Sequence, residues 1–143
     1  MTVKQISVFL ENKPGRLAEF TDVLSENNIN MRALSLAEAS DFGIVRVIVD
    51  DVYNTSTVLK DHDYIFSITK VLAVEMPDEP GALSRVIRVL GDNEVNVEYM
   101  YAFTARKKDS AYMIIRVADN KKAIEVLQKN GIRPVCQDEL MEA

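Results

Sequence analysis

The sequence predicts an α+β fold in which one strand–helix–strand–strand–helix–strand unit occurs twice. Three observations carry this. Ile6–Leu36 lies over Leu72–Ala102 at a shift of 66 residues without a gap, and eight of the 31 pairs are identical. These are Val8/Val74, Pro14/Pro80, Gly15/Gly81, Leu17/Leu83, Val23/Val89, Leu24/Leu90, Asn27/Asn93 and Asn30/Asn96. Each copy opens on a period of two and then changes to helical spacing. A Pro-Gly pair marks that change both times.

The elements follow in order. Ile6, Val8 and Leu10 alternate as a half-buried strand does, and Lys13-Pro14-Gly15 ends it. From Arg16 to Glu26 the apolar stripe Leu17, Phe20, Val23, Leu24 marks a helix packed on a core, and Asn27-Asn28 stops it. Ile29–Ala37 and Gly43–Val49 read as a hairpin turning at Ser40–Gly43. Thr55–Asp61 is a helix capped by Asn54, and Tyr64–Ile68 closes the copy. The second copy repeats the order as Lys70–Met76, Leu83–Asp92, Val95–Ala105, Ser110–Val117, Lys121–Lys129 and Ile132–Val135. Its first helix carries the stripe Leu83, Val86, Ile87, Leu90. Ile44–Val47 lies over Ile114–Val117 at a shift of 70, so about four extra residues are expected before that strand, with Arg46 and Arg116 as equivalents.

Right-handed crossovers with a hairpin between them give a four-stranded antiparallel sheet with both helices on one face. That is the ferredoxin-like βαββαβ arrangement. The expected units are residues 1–68 and 69–143, the second ending in a short tail. The joint, Tyr64–Met76, holds neither Gly nor Pro, so the two units are expected side by side with little freedom.

Composition excludes several classes of function. Seventeen Lys+Arg against 22 Asp+Glu give a net charge of −5, and the basic residues form only short pairs, which disfavours a nucleic-acid partner. One cysteine and one histidine, Cys136 and His62, cannot make a disulfide or a Cys/His zinc site. No apolar run suits a bilayer or a signal peptide, so no membrane partner and a cytoplasmic setting are expected. Neither a phosphate loop nor a nucleophile–base constellation is visible, and no cofactor is expected.

The most specific local signal is Glu11-Asn12-Lys13-Pro14-Gly15-Arg16-Leu17, echoed by Pro77-Asp78-Glu79-Pro80-Gly81-Ala82-Leu83. A strand ends, Asn or Asp stands two residues before Pro-Gly, and a helix begins. The amides of Gly15–Leu17 and of Gly81–Leu83 lie in a first helical turn, where the helix itself supplies no acceptors. With the positive end of the helix dipole they suit a small anion such as a carboxylate.

This double turn, with Ile29-Asn30 and Val95-Asn96 opening the next strands, resembles the ACT domain, a small amino-acid-binding regulatory module. The resemblance covers residues 1–135, and Glu11–Gly15 with Asn30 is especially similar to the serine-binding version. It implies a non-catalytic sensor that binds a free amino acid between ACT domains. The implied ligand-binding residues are Leu10, Asn12, Pro14, Gly15, Arg16, Leu17 and Asn30, with Met76, Asp78, Pro80, Gly81, Ala82, Leu83 and Asn96. Some members place a histidine two residues before the turn Asn; here Leu10 and Met76 stand there, which makes the site more apolar. Asn12 against Asp78 makes the two pockets unequal, since only the carboxylate can pair with an ammonium group.

The alternative for each turn is a plain strand-to-helix connection. Competing functions on this scaffold are an acyl-phosphate hydrolase, which needs an arginine that Arg16 has but Ala82 lacks, and an RNA-binding module, which the acidic balance opposes. A homodimer is expected from the exposed edge strands. A metabolic enzyme or a regulator is the expected downstream partner.

Overall fold

The computed structural model describes residues 1–38 and 40–143 in full and, of residue 39, the main chain. The elements run β1 (Val3–Glu11), α1 (Arg16–Glu26), β2 (Met31–Ala39), β3 (Phe42–Val49), α2 (Val52–Asp61) and β4 (Ile65–Pro77). They continue as α3 (Ala82–Asp92), β5 (Tyr99–Phe103), β6 (Ser110–Arg116), α4 (Asn120–Lys129), β7 (Arg133–Pro134) and α5 (Gln137–Glu142). The chain divides into two compact units, Lys4–Thr69 and Lys70–Ala143 with Met1–Val3. The division falls inside β4, so one strand closes the first copy and opens the second.

In the first unit β1 pairs with β3 and β3 with β2, all antiparallel. Ile6, Val8 and Leu10 alternate onto the helix side and meet Phe20, Leu24, Val45, Val47, Val49 and Leu59 in one core. In the second unit β7, β4, β6 and β5 lie in that order, again antiparallel. Leu72, Val74 and Met76 join Val86, Leu90, Ile115, Val117, Ala123 and Leu127. Each unit is thus the expected ferredoxin-like sheet with two helices on one face.

The strand registers correct the alignment of the copies. Ile6 pairs with Val47, and its equivalent Leu72 pairs with Ile115, so β6 follows β3 at a shift of 68, not 70. The helix caps agree: Asp51 caps α2 and Asp119 caps α4, each accepting a hydrogen bond from the amide three residues on. The insertion is therefore two residues, and Arg46 stands opposite Ile114, not Arg116. A two-residue slip keeps every side chain on its own sheet face, which is why Ile-x-Arg-Val matched so well at the wrong shift.

Further differences have local causes. Asn54 is not the cap of α2; its amide is the group that Asp51 caps, and the helix starts at Val52. Leu83 is exposed and Ile87 half-buried, so the core stripe of α3 is Val86 and Leu90. β5 starts only at Tyr99; before it, Glu94 takes a left-handed backbone to leave α3 and Val95 drops into the core. The tail folds as α5, with Leu140 fully buried.

Candidate functional site

Both Pro-Gly turns have the same backbone. Gly15 (φ 86°) and Gly81 (φ 88°) each hold the position before the helix in a left-handed conformation, which glycine alone adopts without strain. A Cβ at either would meet nothing within 4 Å, so the glycine serves the turn and the ground in front of it is open. Neither helix has a side-chain cap. The amides of Arg16 and Ala82 were expected to be free, but each donates across its own turn, to the Lys13 and Glu79 carbonyls at 3.3 Å. Those of Gly15, Leu17, Gly81 and Leu83 carry no hydrogen bond among the described residues.

Around the first turn the side chains satisfy one another. Lys13 lies 2.9 Å from Glu11, and Arg16 bridges Glu19 at 3.1 Å and Glu11 at 3.9 Å. Hydrogen bonding and charge from Lys13, then the charge of Arg16, hold the Glu11 carboxyl below the usual carboxylate range. Asn12 spends its amide group on the Ser40 carbonyl at 3.2 Å. Pro14 is exposed and Leu10 is buried beneath the turn.

The second turn opens onto a cleft of about 1070 Å³ that lies wholly within the second unit. Met76, Pro80, Gly81, Ala82, Val86 and Ile132 supply apolar lining. Much of the rest, the charged wall, is ionic. Glu75 on β4 accepts from Lys107 Nζ at 2.8 Å and from Arg133 Nη1 at 2.7 Å, while Arg133 Nη2 pairs with Glu139 on α5. Ser110 adds a hydroxyl at 3.4 Å. Glu75 alternates with Val74 and Met76, so it points away from α3 and α4, and Arg133, its register partner, points with it. The Lys107 hydrogen bond, with the charges of Lys107 and Arg133, outweighs burial and lowers the Glu75 pKa. The same bond raises that of Lys107.

Of the residues singled out from sequence, Met76, Pro80, Gly81 and Ala82 come together in this cleft. Asp78 and Leu83 are exposed beside it and outside its lining. Asn30 and Asn96 are exposed at the far ends of α1 and α3, about 16 Å along an 11-residue helix from their own turns. Asn30 lines a small polar depression with Asn28, Asp50 and Asn54. Glu75, Lys107, Arg133 and Glu139 were missed. The available signal was Glu75, a lone charge inside the apolar strand Leu72–Met76, where the first copy has Phe9.

A duplicated ferredoxin-like chain with a glycine-turned helix start in each copy defines a class of small tandem α+β modules. The family model of the ACT domain pair matches residues 1–143, and the chain belongs to that family. Protein BT0572 from Bacteroides thetaiotaomicron is 41% identical over 100% of this chain and 98% of its own, with a TM-score of 0.90. The ligand-free regulatory subunit of aspartate kinase from Thermus thermophilus shares the fold at 13% identity, covering 88% of this chain and 91% of that one, TM-score 0.62. Aspartokinase alpha and beta subunits follow at 17% identity, 88% and 90% coverage and TM-score 0.57. The comparison with curated proteins finds no match. Among the described residues no helix is long and apolar enough to cross a membrane.

Proposed function

We propose that the chain is a non-catalytic regulatory protein that binds a free amino acid at the Pro-Gly turn of its second ACT domain. The observation that carries this is the cleft itself, which opens beside the unpartnered amides of Gly81 and Leu83. Those amides and the helix dipole suit the α-carboxylate of the ligand. Carboxylates of Glu79 and Asp109 on the same cleft suit its ammonium group. Membership of the ACT domain pair family supports a regulatory role. The pairing of Glu75, Lys107, Arg133 and Glu139 with one another supports a binding site over a catalytic one, since it leaves none of them as a free base.

Occupancy would act by differential affinity: the ligand favours whichever arrangement of the protein binds it more tightly, and a partner enzyme or regulator reads that arrangement. A thermal-shift screen against the twenty amino acids tests the reading, because a ligand selective for the folded state raises the melting temperature. A hit lost on Gly81→Val and kept on Gly15→Val supports the second turn as the site. No hit at millimolar concentration, or a hit lost only on Gly15→Val, overturns it.

A further inference from the structure

The charged wall of the cleft carries an inference that rests on the reading above and specifies its ligand. We propose that Lys107 and Arg133 form a receptor for a second carboxylate, so that the ligand is an acidic amino acid, and that Glu139 holds this place on Arg133 until the ligand displaces it. Lys107 and Arg133 reach different oxygens of the single Glu75 carboxylate, at 2.8 and 2.7 Å. Two cations converge on the one carboxylate that β4 supplies, and the second acid that offsets them, Glu139, comes from α5. A guanidinium carries its donors as a fork. Here Nη1 is committed to Glu75, and Nη2 offers a second carboxylate position that Glu139 fills.

The two acids are held differently. Glu75 is fixed on β4, with its side chain 17% exposed, whereas Glu139 is 33% exposed and sits on a six-residue terminal helix. An ion pair between partly exposed side chains contributes little to stability, so Glu139 is displaceable by a ligand anchored elsewhere. The fold does not require this cluster. Where the second unit has Glu75 and Ser110 the first has Phe9 and Phe42, with ring centroids 6.0 Å apart, and the sheet pairs there in the same antiparallel register. Gly81, Lys107 and Arg133 line the same cleft, so a ligand with one carboxylate at the turn and another on its side chain has a partner for each.

Calorimetry of the full chain with L-glutamate, L-aspartate, L-alanine and L-lysine tests the proposal, with succinate as a dicarboxylate lacking the ammonium group. An acidic amino acid should bind, about two- to five-fold tighter to Glu139→Gln. Arg133→Met and Lys107→Met should each weaken it about tenfold or more. Binding of L-alanine or L-lysine that Arg133→Met leaves unchanged would overturn the second-carboxylate receptor while sparing the amino-acid site. Acidic ligands and succinate that bind through Arg133 but survive Gly81→Val would keep the receptor and sink the Gly81 reading. If neither the native chain nor Glu139→Gln binds any of the five, both fall.

Discussion

The two Pro-Gly turns share a backbone and differ in what stands around it. At the first, Arg16 ties Glu11 on β1 to Glu19 on α1, and Asn12 is spent on the Ser40 carbonyl. At the second, Pro77, Ala82 and Arg85 occupy the places of Glu11, Arg16 and Glu19, and Arg85, which lines the cleft, donates to the Asn130 carbonyl at 2.7 Å. The aromatic pair Phe9 and Phe42 is answered by Glu75 and Ser110. Two inserted residues lengthen the loop that carries Lys107, and α5 brings Glu139. Duplication thus preserved the turn geometry, while a handful of side chains, one short insertion and one added helix change what surrounds the turn.

Where the copies agree, paired substitutions should cost the same. Gly15→Val and Gly81→Val each force a β-branched residue into a left-handed backbone, at about 2 kcal/mol, and should lower Tm by roughly 4–8 °C. Thermal unfolding of the two variants checks this; a loss confined to one copy would break the equivalence of the turns. Asp51→Ala and Asp119→Ala should each cost about 1 kcal/mol in chemical denaturation, because each removes the acceptor for one helix amide.

Where the copies differ, the effects should part. Glu75 has a folded pKa below its unfolded value, so it contributes stability that is fully present above pH 4.5 and is lost as pH falls through the lowered folded value. Glu75→Gln should therefore flatten part of the acid limb of the stability profile, by less than about 1 kcal/mol. Phe9→Ala, which removes no charge, should displace that limb without changing its shape. An acid limb of identical shape in the native chain and Glu75→Gln would show that the charged wall is not coupled to folding.

Much of this architecture was legible in the residues. The repeat, α1 at Arg16–Glu26 and the uninterrupted β4 follow from periodicity and from the absence of Gly and Pro between Tyr64 and Met76. The register of β3 and β6 was not legible, because a two-residue slip along a strand conserves the apolar pattern. The tail was not either: α5 is six residues long, too short for a helical period, and its formation depends on burying Leu140. The site was half legible. Gly81 and its neighbours belong to a local motif, whereas Glu75, Lys107, Arg133 and Glu139 are gathered from four separate elements and loops, which no spacing rule connects.

The central claim is that the second copy, not the first, takes the ligand. Amide NMR spectra recorded during titration with L-glutamate test it most directly. The account predicts progressive shifts at Gly81, Leu83, Lys107 and Glu139, with Gly15 and Leu17 unmoved. Shifts at Gly15 and Leu17 with Gly81 and Leu83 unmoved would contradict it.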